Sequence, residues 1–293
     1  MTSAILERPP VPSRPPDRSA VQQTAAHYTR FDRKTRLLHI VVMTTFLGLS
    51  ATGMPLLFSD APWARALAWI FFGFKGAGIA HRVMGATLLA AVVFHVIDVS
   101  WRAFVRGENG IFWGPTSMVP QPKDFADFGA MLRWFVGVGP RPKIEHFAYW
   151  EKFDYWAVLW GTAIMGAAGL MLWFPLTASH ILPGWMFNVA LFVHGAEATL
   201  AIGFIFAVHF FNGHLRPGKF PMDLVIFTGT VSGHELEVER AAEFERLRAS
   251  GILEATCAPA PEPSVIRHAY IVGTIGVSVG LALFALILYA TIR

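Results

Sequence analysis

The sequence predicts an all-α fold, an integral membrane bundle of five transmembrane helices, on three observations. The 293-residue chain is 54% hydrophobic and only 15% charged, against roughly 25% charged residues in a soluble domain. Five stretches reach the roughly 20 apolar residues needed to cross a bilayer. Lysine and arginine collect at the ends of those stretches and are nearly missing from their centres.

Taken in order, residues 1–26 are rich in proline, serine and arginine, contain no long apolar run, and read as a disordered cytoplasmic tail rather than a signal peptide. The spans are expected at Leu37–Phe58, Gly78–Trp101, Phe153–Pro175, Trp185–Phe211 and Val265–Ile292, each as an unbroken helix. Pro62–Phe74 is short and amphipathic and belongs at the membrane interface. The connection 103–150 carries five prolines from Pro115 to Pro142 and a short amphipathic helix near Asp124–Val138. Glutamates and arginines alternate over Gly233–Ser250, predicting one soluble helix with charges paired at i,i+4. The implied organisation is a membrane domain over 27–221, a linker with that helix over 222–264, and the last span over 265–293.

Arg30, Arg33, Lys34 and Arg36 precede the first span, and the second and fourth connections are also basic, whereas Leu176–Gly184 has no lysine or arginine. The positive-inside rule then places the N-terminus in the cytoplasm and the C-terminus outside. The net charge of +4 serves topology and is not read as a nucleic-acid signal. A single cysteine, Cys257, excludes an internal disulfide, a C-x-x-C-H haem attachment and iron–sulfur ligation, so metal chemistry would fall to histidine.

Histidine is where the spans are unusual. His81 and His95 are 14 residues apart in the second span, and His194 and His209 are 15 apart in the fourth. Each pair spans roughly 21–22 Å along its axis and faces about one side. Spans two and four run parallel, so His81 and His194 share one depth and His95 and His209 the other. Polar groups inside a membrane are costly and face the bundle interior. Two such helices could clamp two b haems through paired imidazoles. His39, one turn into the first span, competes with His95 as partner of His209, and a third haem is conceivable if His214 also ligates. His27, His146, His180, His234 and His268 read as solvated or edge histidines.

Asp98 and Glu197 each follow a histidine by three residues, on the same helical face. They suit orientation of an imidazole or proton relay. Glu151, Lys152 and Asp154 open the third span as interfacial anchors or as the rim of a quinone site. Gly85 and Gly195 would let a flat macrocycle approach the backbone, and would equally suit helix packing.

Arg36-x-x-His39 and Ser50-x-x-Gly53 in the first span, His81-x-x-x-Gly85 in the second, Gly169-x-x-x-Trp173-x-Pro175 in the third, and His194 and His209 in the fourth form a recognisable set. It resembles the di-haem cytochrome b subunit of membrane formate dehydrogenases, and the related subunits of nickel–iron hydrogenases and thiosulfate reductases, over about Tyr28–Pro221. The resemblance implies a four-helix haem-binding core, with His81 and His194 on the outer haem and His39 and His209 on the inner one. It also implies a quinone site beside the inner haem. The longer His194–His209 interval, the extra His95 and the fifth span depart from that pattern. The first two features also resemble cytochrome b of quinol:cytochrome c oxidoreductases, where two parallel helices supply all four ligands.

The expected protein is a subunit of the bacterial inner (cytoplasmic) membrane passing electrons between the quinone pool and a partner subunit with iron–sulfur clusters or c-type haems. That partner would dock on the outer face near Leu176–Gly184. The other readings are an intramembrane-histidine transporter or channel-like protein, and a non-redox membrane anchor.

Overall fold

The computed structural model describes residues 26–292. The expected N-terminal tail lies outside them except for its last residue. Five helices are long and apolar enough to cross a membrane: Arg33–Leu57, Gly73–Phe104, Tyr149–Trp173, Trp185–Leu215 and Pro263–Ile292. The chain is an all-α membrane bundle.

Local chemistry sets the helix starts. Asp32 caps the first span by accepting from the Thr35 amide at 2.7 Å. Pro62 opens the interfacial helix Pro62–Ile70, and Pro122 opens Pro122–Phe135. In the latter, Asp124 accepts from the Gln121 amide at 2.6 Å and from buried Lys152 at 2.8 Å, which ties this helix to the third span. Spans two and four extend past their expected ends, because the helix continues beyond the apolar run to Lys75, Arg102 and His214.

The first span is one helix through Pro55, as expected. The fourth span changes to π geometry over Ile205–His209 and again over Phe211–Leu215. A π turn accommodates one residue more than an α turn. It therefore offsets the extra residue between His194 and His209, which in an ideal α-helix would swing the second ring about 60° past the first.

The spans pack as two intimate pairs, first with second and third with fourth, and the pairs meet each other more sparingly. The fifth span closes against the first and fourth. Met54, Ile202, Phe206, Phe210, Leu283 and Ile287 form the buried core there, with Trp63 and Leu67 of the interfacial helix packed on it. Gly273, Gly276 and Gly280 share the buried face of the fifth span. A Cβ on Gly280 would stand 2.6 Å from Phe210 and 2.9 Å from Phe206. Gly280→Val is therefore expected to destabilise the seating of the last span by about 1–3 kcal/mol. Increased cysteine-accessibility labelling along that helix would report it, and unchanged labelling would contradict it.

One end of the bundle carries a small folded cap, where the sequence suggested a linker. Strands His27–Thr29 (β1), Thr230–Ser232 (β2) and Cys257–Ala258 (β3) form an antiparallel sheet in the order β2-β1-β3. Tyr28, Val231, Leu236, Phe244 and Leu253 are its core. Gly229 has φ +84°, and its carbonyl accepts from the amides of Arg30 and Phe31 at 2.8 and 3.1 Å. A side chain there would meet the Phe31 carbonyl as well as strain the backbone. The stretch expected as one helix is two, Gly233–Glu239 and Ala241–Ala249, broken at Arg240. Its charges pair across elements instead of at i,i+4: Arg240 with Glu151, Glu239 with Arg216, and Glu245 with Lys143.

Candidate functional site

At the end of the bundle away from the cap, His81 of the second span faces His194 of the fourth, with ring centroids 6.2 Å apart and planes at 72°. Imidazole nitrogens bind transition metals at about 2.0–2.1 Å, so two rings on opposite sides of one metal stand roughly 6 Å apart. Each ring lies over a glycine of the neighbouring span. A Cβ on Gly53 would be 2.8 Å from His81 Cε1, and one on Gly169 would be 3.2 Å from His194 Cε1. Fully buried Thr52 donates to the Gly48 carbonyl at 2.7 Å, which leaves its oxygen to accept from His81 Nδ1 at 3.1 Å. With its proton on Nδ1, His81 presents Nε2 as a lone pair, as a metal ligand requires. His194 Nδ1 is buried beside the Met165 backbone without a geometrically sound hydrogen bond. Arg82 lies over Trp173 at 6.0 Å, one residue beyond His81.

At the capped end the histidines gather differently. His209 donates from Nδ1 to Asp154 at 2.8 Å. His214 lies 6.5 Å from His209, ring centre to ring centre. Residues five apart on an α-helix point about 140° away from each other, so the π turns are what bring these two rings together. His39 of the first span is within electrostatic range of both, and Phe227 meets its ring edge-on at 6.2 Å. The Nδ1 atoms of His39 and His214 are buried without hydrogen-bond partners.

His95 is placed elsewhere. Its Nε2 shares a hydrogen bond with the Tyr155 hydroxyl at 2.9 Å, in the seam between the second and third spans. Fourteen residues leave it about 40° behind His81 around the helix, and that lag carries it toward the third span. Depth alone matched His95 to His209; azimuth brings His39 to that neighbourhood. Asp98 pairs with Lys34. Glu197 faces Gly161 of the third span, where an added Cβ would lie 3.5 Å from its Oε1. Glu151 accepts from Arg240 at 2.6 Å, and Asp154, one turn on, holds His209.

His146, expected in solvent, sits in a largely buried ionic cluster beneath the cap. Arg30 pairs with Glu243 at 2.7 Å, and the Nδ1 of His146 lies against both. Burial and the neighbouring Arg30 and Arg240 hold the imidazole pKa below its ordinary value, although Glu243 opposes them. Burial alone would raise the Glu243 carboxyl, but His146, Arg30 and Arg240 together hold it below the usual range. No sequence signal marked this cluster, because its members come from the segment before the first span and from two separate connections.

Among the described residues, no group of three or more histidine, cysteine, aspartate or glutamate side chains is arranged to hold a metal ion. The paired imidazoles instead suit a metal whose remaining ligands come from a macrocycle. The His81–His194 pair stands over two glycines, with an Nδ1 proton held on one side. The capped-end trio offers the same donor type, with a carboxylate orienting His209. Compared with known families and characterised proteins, the chain matches no family model and no curated protein.

Proposed function

We propose that the chain is a haem b electron-transfer subunit, with one haem held by His81 and His194 and a second held by His209 with His39. The observation that carries this is the His81–His194 ring pair at 6.2 Å, cradled by Gly53 and Gly169. Bound haem supplies reversible one-electron iron chemistry. The chain would supply imidazole nitrogens, orientation and a dry surrounding. Thr52 fixes the tautomer of His81, and Asp154 does the same for His209 while making its ring a stronger donor. His214 is the ligand that would serve a third haem.

The basic second and fourth connections meet at the capped end, so the positive-inside rule puts the cap in the cytoplasm and the 174–184 connection outside. The membrane is that of the bacterial inner envelope, and the chain exchanges electrons with quinone on the cytoplasmic side. On the outer side the proposed partner is a subunit with iron–sulfur clusters or c-type haems. The irregular fourth span gives the transporter reading its one point of support, since transporters use broken helices around midplane sites.

The two readings separate on pigment. Protein expressed with haem supplied is expected to show a reduced-minus-oxidised b-type spectrum and two haems per chain by pyridine haemochrome. A correctly assembled but colourless chain would overturn the proposal, and three haems would bring in His214.

A further inference from the structure

The helix Pro122–Phe135 of the second connection turns an apolar face outward. Phe125, Phe128, Leu132, Phe135 and Val136 at its C-cap fall within an arc of about 100° around the axis. All five are exposed, Phe125 and Val136 to 73% and 74%. Buried Asp124 and Met131 hold the neighbouring side of the helix to the protein. We propose that the apolar face lies in the lipid leaflet at the capped end, and that arginines beside it select anionic phospholipid headgroups. This rests on the membrane fold and stands apart from the haem reading.

The helix is held at the level of the aromatic belt. Trp156 donates to the Met118 carbonyl at 3.0 Å, Lys152 to Asp124 at 2.8 Å, and the Tyr149 ring meets Phe128 at 5.5 Å. Tyr149, Lys152 and Trp156 lie in roughly the first two turns of the third span, which also carry Trp150 and Tyr155. Tyrosine and tryptophan gather in this way where a span meets the membrane–water boundary. Phe128 belongs to the exposed stripe, so the stripe begins on the belt itself. An amphipathic helix at that depth buries its apolar side among the upper acyl chains.

The charges beside the stripe name the headgroup. Arg102 and Arg106 share the one carboxylate of Glu108. They stand near the helix start, because the Phe104 ring meets Phe112 at 5.8 Å and the Gln121 side chain donates to the Phe112 carbonyl at 3.3 Å. Arg133, in the last turn, forms no ion pair among the described residues. Lys123 with Asp127 and Lys152 with Asp124 cancel. Two positive charges are left over beside an apolar face, the pattern that binds an acidic bilayer surface. A phospholipid supplies acyl chain and phosphate together, as this pairing requires.

The test uses the full chain in lipid nanodiscs. In a Cys257→Ser background, which removes the exposed native thiol, Leu132→Cys carries a fluorophore on the stripe and Ala126→Cys carries one on the far side of the helix. Lipid bearing a doxyl group high on its acyl chain is expected to quench the first, and aqueous iodide the second. The doxyl lipid is then supplied as a minor guest in phosphatidylcholine discs, either as phosphatidylglycerol or as phosphatidylcholine. The anionic guest is expected to quench the label at position 132 about fivefold more efficiently, the effect of roughly one cationic side chain at an acidic surface. Arg106→Gln combined with Arg133→Gln should bring the two guests to parity while the label stays shielded from iodide. Iodide quenching at position 132 overturns the proposal, and so does equal quenching by the two guests in the parent. Shielding from both quenchers also overturns it, since a second copy or another protein would then cover the face. None of these readings depends on haem content.

Discussion

His194→Ala is expected to halve the haem content, from two per chain to one, with the remaining haem spectrally intact. The residue supplies one of two rings that stand 6.2 Å apart, and an alanine would leave only the His81 ring to hold the group. Alanine also opens space, so a second variant separates ligation from packing. Gly169→Val keeps every imidazole, but its Cβ begins 3.2 Å from the His194 ring and its methyl groups reach further. It is expected to lose the same haem. By contrast, Asp154→Asn touches only the other site, where it removes the carboxylate on His209 Nδ1 and should weaken haem retention by about 10–100-fold. Pyridine haemochrome on the purified variants gives the count. Two haems in both His194→Ala and Gly169→Val would show that these rings do not hold iron.

Arg30→Met is expected to release the cap. The Arg30 and Glu243 side chains are only 4% and 7% exposed. Removing the cation leaves a buried carboxylate with one ring nitrogen in contact and only Arg240 as a cationic neighbour, and breaking such a pair costs about 3–5 kcal/mol. The double variant Arg30→Met with Glu243→Leu should recover most of that, because no lone charge is left behind. Limited proteolysis within 230–250 reads the result: fast cleavage in the single variant and slow cleavage in the parent and the double variant. Equal cleavage in all three would contradict the argument.

The same cluster fixes the sign of pH dependence. His146 is held below its ordinary pKa of 6.5 by burial first. As pH falls below 6.5 the opened cap takes up a proton that the closed cap resists, and stability drops. Glu243, held below 4.5 by its cationic neighbours against the effect of burial, adds stability above that value which is lost as pH falls through its lower folded pKa. Both groups loosen the cap on acidification, His146 below 6.5 and Glu243 only below 4.5, so protection of the β1 amides from hydrogen exchange should fall from pH 7 to pH 5 through His146.

The membrane fold was legible because its signal is coarse. Twenty apolar residues between basic flanks specify a span whatever the packing, and all five lie where that rule puts them. The His81–His194 pairing was legible too, since matched depth on parallel helices brings the rings to one level. What sequence spacing does not carry is azimuth. An angle of 40° decides whether His95 turns to the fourth span or to Tyr155 on the third. The π turns that gather His209 and His214 have no residue signature. The cap escaped notice because strands of two or three residues are below any periodicity, and because Arg240 breaks an otherwise good helix to reach Glu151. Single charges on that segment looked like neighbours of one another, while their partners lie on other elements.

The cap also sets an order of assembly. Arg30 and Glu243 are 213 residues apart in the chain. At about 5–20 residues per second, the ribosome makes the later residue roughly 10–40 s after the earlier one. The first four spans, three of them carrying histidine, are thus made before β1 meets the strand that closes over them. During that interval Arg30 waits without the Glu243 that later pairs with it, so the end of the half-built bundle that the cap will cover stands open.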